Sequence, residues 1–339
     1  MPRANGSASR DCDEATPLLF SNHGAPPPAH RSPPRLSDRL LPSESWPALL
    51  QQCVLTGLFD AITFASMRTW VGFMTGNLTQ IALALIDEIG DGPLEIGGTS
   101  RLTKSVVALA GYCAGAYGIA ALLRLLKRRR ARSEGRNDDS SCYDSAPSRG
   151  WYLFISLSHI VFFSLHFLLI RLYPSSPSTN LALVSLALLA LPMGSQTVLS
   201  LTLGSPNPYS TTVVFTSSLA NMCADPSFPR GLIPGSDRSK STLRHRAMSI
   251  FALVFGSLLG GAIILAEERW TAARAPARGE GNGRNSSDDD AAQGILPTTW
   301  ACVVVILLQT AIAASWWTVP AKPVEEARRE EDDDEEEGA

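Results

Sequence analysis

Asp60 is the only charged side chain in the apolar stretch 48–66, one turn after Gly57. A carboxyl group at mid-membrane depth costs roughly 2.5–3.5 kcal/mol on insertion scales, so a sequence that keeps one there has a use for it. Two uses fit the residue. One is a proton- or cation-responsive group facing a bundle interior; the other is a hydrogen-bond acceptor for the backbone of Thr75-Gly76-Asn77, which opens a second, shorter apolar run. His159 and His166 lie seven residues apart in the stretch 151–172, near Ser156, and so share one helix face. Such a pair could relay protons near neutral pH or could pack as satisfied interior histidines, and both readings stand. No Glu or Cys at helical spacing completes a zinc set with them. Asn77, Gln80 and Gln196 read either as the lining of a polar path or as bonds between helices, worth about 0.6 kcal/mol on average. Asp60, Thr75, Gly76, Asn77, Gln80, His159, His166, Gln196 and Thr216 together form the candidate polar path. No catalytic, cofactor-binding or metal-binding residue is expected.

These residues need elements to hold them at depth. The mean hydropathy of +0.06 averages over very different regions. Apolar blocks at 48–66, 72–86, 103–126, 151–172, 181–201, 211–223, 247–266 and 298–319 alternate with polar tails and loops. About 20 residues are needed to cross roughly 30 Å of hydrocarbon, so most blocks read as transmembrane helices and those at 72–86 and 211–223 are too short to cross comfortably. The fold class is therefore all-α, a polytopic helical membrane bundle. Its organisation reads as a disordered tail 1–47, membrane repeats 48–172 and 181–319, and an acidic disordered tail 320–339. The six cysteines form no CxxC pair and no metal spacing, and the N-terminal residues lack the apolar core of a signal peptide.

The same order of features occurs twice. Gly57 answers to Gly194, Thr75 to Thr216, Gly111-Tyr-Cys-Ala-Gly115 to Gly256-Ser-Leu-Leu-Gly260, and Trp151 to Trp300. Matching small-residue pairs in each half read as close helix contacts, and four features in order read as internal duplication. If the two short blocks enter and leave on one side, Lys and Arg in loops and tails divide 20 against 6. The richer side holds 1–47, 127–149, 202–246 and 320–339, and the positive-inside rule makes it cytosolic. Six full spans then form two three-span repeats of opposite orientation, each with a half-length segment.

Gly57-x-x-Asp60-Ala, Thr75-Gly-Asn-Leu78, Met193-Gly-x-Gln196 and Thr211-Thr-Val-Val-x-Thr216 resemble the YoaK family of polytopic membrane proteins, which carry a domain of unknown function. The resemblance covers about residues 48–265 and implies membrane location and fold, not chemistry. Phe215-Thr216-Ser217-Ser218 stands where the family pattern implies Thr-Gly, which removes the room for a tight backbone approach there.

No P-loop, GxSxG or HExxH motif occurs, and the chain is not expected to be an enzyme. Transport of a small solute or ion through the bilayer is the expected function. The alternatives are a membrane-embedded enzyme using Asp60, His159 and His166 on an apolar substrate, or a non-transporting scaffold. Lys127 to Arg132 suits anionic headgroups rather than nucleic acid. Glu14, Leu18 and Leu19 match an acidic dileucine sorting signal, or match it by chance. Read as a signal, they point to a sorting adaptor and to an endomembrane or vacuolar location, with the plasma membrane second.

Overall fold

The computed structural model describes residues 33–41, 44–91, 100–134, 148–172, 179–203, 239–274 and 299–321, with Leu219, Cys223 and Ala224 as isolated positions. Contacts divide the chain into Met1–Pro33 and Pro34–Ala339, and every described helix lies in the second unit. Glu14, Leu18, Leu19 and Thr216, with nearly all of the block 211–223, lie outside the described residues.

Seven long α-helices account for the described secondary structure: α1 (Trp46–Met67), α2 (Met74–Asp91), α3 (Arg101–Glu134), α4 (Arg149–Leu172), α5 (Thr179–Leu201), α6 (Ser239–Arg274) and α7 (Thr299–Thr318). Six carry a stretch long and apolar enough to cross a membrane, and α2 has only the shorter apolar part Met74–Ile86. The fold is the all-α polytopic bundle that block length implies. α3 and α6 run well past their apolar blocks, because Lys127 to Glu134 and Ser239 to Arg246 continue a helix once it leaves hydrocarbon. α1 opens with Pro47 in its first turn, where the missing N–H is harmless, and ends on Arg68 in the left-handed region at φ 57.

Helix pairing has a two-fold pattern. α1 packs most heavily on α6, and α3 on α5; α4 and α7 pair with each other. Both heavy pairs run parallel and meet through glycine. A Cβ at Gly57 would come within 2.0 Å of Leu253 O, and one at Gly256 within 2.0 Å of Val54 O. In the other pair, a Cβ at Gly194 would approach Tyr112 O to 1.9 Å and one at Gly115 would approach Leu191 O to 2.0 Å. Backbones this close trade side-chain volume for dispersion contact, the main attraction between helices where lipid removes the hydrophobic drive.

This geometry corrects one detail of the repeat. Gly256 plays the part of Gly115, not of Gly111; the looser contacts fall at Gly111, 3.1 Å from Ala187 O, and at Gly260, 2.9 Å from Leu58 O. A slip of four residues keeps the same helix face, so spacing alone could not choose between the two registers.

One end of the bundle gathers the segments that loop charge assigns to one side. The Trp46 and His245 rings lie 6.3 Å apart, and Tyr152 Oη is 3.4 Å from Thr202 Oγ1. At the same end, Leu41 N donates to Pro320 O at 3.2 Å. Arg149, only 2% exposed, is the pivot there. Its Nη1 donates to Asp38 Oδ2 at 3.1 Å and its Nη2 to Val319 O at 2.6 Å. Gly150 N donates to Leu36 O at 2.8 Å. The segment ahead of α1 is thus clasped between the start of α4 and the end of α7. At the opposite end Glu267 Oε1 accepts Trp300 N at 3.2 Å, linking α6 to the first turn of α7.

Glycine position should therefore decide tolerance. Gly57→Leu or Gly194→Leu is expected to abolish folded yield, since backbone blocks the new side chain. Gly118→Ala and Gly261→Ala, where a Cβ would meet nothing within 4 Å, should be neutral or stabilising by about 0.5–1 kcal/mol. Thermal unfolding of the detergent-solubilised variants reads the contrast; equal behaviour at the two kinds of position would refute the packing.

Candidate functional site

The chain leaving α1 turns back into the bundle. Gly72 lies beside the middle of α1: a Cβ there would sit 3.0 Å from Thr56 Cγ2 and 3.0 Å from Asp60 Oδ2. α2 starts just after, at Met74, and leads out again, so that Gln80 Oε1 accepts Ser105 Oγ at 3.0 Å within the first turns of α3. The first short block is thus a re-entrant segment. Its helix reaches 18 residues, longer than the apolar run 72–86.

A backbone turn at this depth needs partners for its polar groups. Asp60 supplies one: its Oδ1 accepts Gly72 N at 2.7 Å, and Val71 N and Phe73 N also bond to the carboxyl group. These N–H groups lie in the turn ahead of α2, where no helix supplies them a carbonyl. Sequence spacing assigns Asp60 to the Thr75-Gly76-Asn77 backbone; the structure moves the contact to Val71–Phe73, because the turn precedes the helix instead of being its first turn.

Thr75-Gly76-Asn77 has other duties. Asn77 is fully buried and pairs with one residue twice, Nδ2 donating to Trp70 O at 2.6 Å and Oδ1 accepting Trp70 N at 3.2 Å. Gly76 makes room for rings, since a Cβ there would lie 2.5 Å from Phe73 Cδ1 and 2.8 Å from Trp70 Cε3. Trp70 in turn stacks on Phe64 with centroids 4.3 Å apart. Thr75 is exposed on the outer face of α2, so it lines no interior path; position 75 falls a quarter turn or more from the buried face of Gly76, Asn77 and Gln80.

The histidines belong to a different set. Tyr152, His159 and His166, each seven residues from the next, bond in order to Thr202, Ser195 and Ser185 of the α5 end and shaft. His159 Nε2 lies 2.6 Å from Ser195 Oγ. Ser195 Oγ donates its own hydrogen to Pro192 O at 2.8 Å, so Nε2 carries the proton in that contact. Nδ1 then accepts from Gln309 Nε2 at 3.4 Å. The relay ends on a carbonyl, which does not pass a proton on. This favours the packed-histidine reading for His159. Both rings are buried, at 2% exposure.

Gln196, next to Ser195, faces the other way. Its Nε2 reaches Gln52 O at 3.3 Å and Thr56 Oγ1 at 3.4 Å. Gln52, Thr56 and Asp60 form one stripe along α1 at four-residue spacing. Sequence reasoning misses this stripe, although its period is a signal that could have shown it. It also misses Gln309, the only amide side chain of α7. Asp60, His159 and His166 thus hold separate partners and do not converge in a shared hydrogen bond. Among the described residues no group of three His, Cys, Asp or Glu is placed to hold a metal ion.

Six spans and a segment that re-enters from one side define an integral, multi-pass helical membrane protein. The chain belongs to the DUF1275 family, proteins of unknown function, whose model matches residues 48–277. Neither curated proteins nor solved structures gave a match.

Removing the acceptor tests the re-entrant turn. Asp60→Ala strips three N–H groups of their partner and is expected to cost about 1–3 kcal/mol or more, whereas Asp60→Asn keeps one acceptor oxygen and should cost less. Asn77→Leu should resemble Asp60→Ala. Limited proteolysis in the loop 68–73 and thermal unfolding read both effects; an Asp60→Ala protein as stable as the parent would mean the turn does not depend on Asp60.

Proposed function

We propose that the chain is a YoaK-like member of its family and a transporter or channel for a small solute or ion, not an enzyme. The observation that supports this most is the re-entrant turn. Backbone at membrane depth is tolerated where protein packs it or where it lines a watery cavity, and inverted repeats with broken helices are a recurring transporter plan. The paired glycine crossings of α1 with α6 and α5 with α3 fit two halves that rock against each other around α4 and α7. The scaffold alternative is weaker, because a scaffold has no need of an interior polar stripe.

Reconstitution of the full chain in liposomes tests the reading. Release of Na+, K+, Cl−, urea or glycerol should exceed that of protein-free vesicles for at least one of these. Asp60→Asn should lower that flux at equal protein incorporation. A protein that folds in the vesicles and passes none of them is not a transporter of this kind.

Location is read from the N-terminal tail. The positive-inside assignment puts Glu14, Leu18 and Leu19 in the cytosol, where sorting adaptors read acidic dileucine signals, and so favours the endomembrane–vacuole route. A tagged Leu18→Ala, Leu19→Ala double variant should shift to another membrane, the plasma membrane first; an unchanged distribution would refute the signal.

A further inference from the structure

We propose that the seam between α4 and α7 holds a seat for a small neutral solute bearing N–H or O–H donors, formed by Ser156 Oγ and Gln309 Oε1. The proposal rests on the transport reading and names the class of its substrate. Ser156 and Gln309 are each 1% exposed, and both of these oxygens lack a hydrogen-bond partner. The Gln309 side chain reaches the Ser156 turn of α4, its Nε2 lying 3.4 Å from the Ser156 backbone O and 3.4 Å from His159 Nδ1.

Ser156 differs from the other buried serines and threonines of these helices, which all find a partner, many of them on their own helix. Thr56, Thr63, Ser66, Thr197 and Ser257 turn their hydroxyls back to the carbonyl one turn earlier. Serine in a helix surrounded by apolar groups has that bond within easy reach. A buried hydroxyl that leaves it unmade carries the desolvation cost of an unsatisfied group, about 1–3 kcal/mol, and so does the Gln309 carbonyl. Two such groups on facing side chains of the α4–α7 pair offer an arriving solute hydrogen bonds whose desolvation is already met.

The walls set the charge of the occupant. Neither α7 nor the length of α4 between Arg149 and Arg171 contains an acidic or a Lys or Arg side chain, and α5 contains none. Asp60 is the single charged side chain of α1, and its carboxyl group is held by the Gly72 backbone. An ion in the seam would be desolvated with no opposite charge beside it, which is far costlier than seating a neutral molecule. Gln309 Oε1 only accepts, while Ser156 Oγ both donates and accepts. The occupant must therefore present at least one donor, as ureas, amides and polyols do.

Liposomes carrying the full chain decide the matter, with urea and glycerol as neutral probes and Na+, K+ and Cl− as charged ones. Urea or glycerol should cross well above protein-free vesicles, and the ions should not. Ser156→Ala removes no internal bond, so its thermal stability should equal or exceed the parent's while urea or glycerol flux falls about tenfold, the loss of one hydrogen bond of about 1.4 kcal/mol. Gln309→Leu should lower flux likewise. Ser158→Ala, whose exposed hydroxyl only bonds Phe154 O, should leave flux unchanged. Ion flux without urea or glycerol flux would overturn the neutral seat and leave transport standing. Neutral flux untouched by Ser156→Ala and Gln309→Leu would overturn the seat's location, and no flux of any probe would overturn the transport reading with it.

Discussion

Backbone amide groups at mid-membrane depth have no water to turn to, and that constraint shapes the first half of this protein. A chain that re-enters the bilayer must find partners for several N–H and C=O groups at once, each worth several kcal/mol if left bare. Here the partners are side chains fixed in advance. Asp60 faces the N–H groups of Val71, Gly72 and Phe73, and Asn77 closes both polar groups of Trp70. The glycines at 72 and 76 are consequences, since any side chain at either would displace a ring or the carboxyl group. The Thr-Gly-Asn signature is in this light mainly a device for folding a turn.

The same constraint explains why the two glycine crossings have different polar neighbours. The position of α5 that answers to Asp60, taking the shift from Gly57 to Gly194, is Thr197, which is bonded by Tyr112 Oη at 2.8 Å. The two crossings match where helices touch through glycine and differ where polar groups serve one crossing only. Packing tolerates little variation because backbone meets backbone; polar partners are exchangeable as long as each is satisfied.

Fold class, the six spans and the odd short block were legible because apolar length reports membrane thickness directly. The side on which segments gather was legible from loop charge, and the contacts of Trp46, Arg149, Thr202 and Pro320 agree with it. Helix ends were not, since hydropathy stops at the headgroups while helices such as α3 and α6 go on. Among the residues singled out, the burial of Gly76, Asn77 and Gln80 followed from their place in an apolar run, but the exposure of Thr75 did not. It depends on how far α2 is rotated about its axis, and a threonine, at home on either face, does not report that rotation. The clasp around Arg149 was invisible: a buried arginine reads in sequence like any loop cation, and its partners lie far away along the chain.

That clasp has a consequence for the order of assembly. Arg149 and Val319 are 170 positions apart, and a membrane protein is built from its N-terminus onward. While residues 150–318 are being made, the guanidinium has Asp38 within reach but not the Val319 carbonyl, and the segment around Asp38 has only half its binding site. Burial of Arg149 becomes possible only when 319–321 arrive behind the sixth span. The clasp thus acts as a completion mark. A chain ending before that point lacks the Val319 carbonyl for Arg149 Nη2 and the Pro320 carbonyl for Leu41 N.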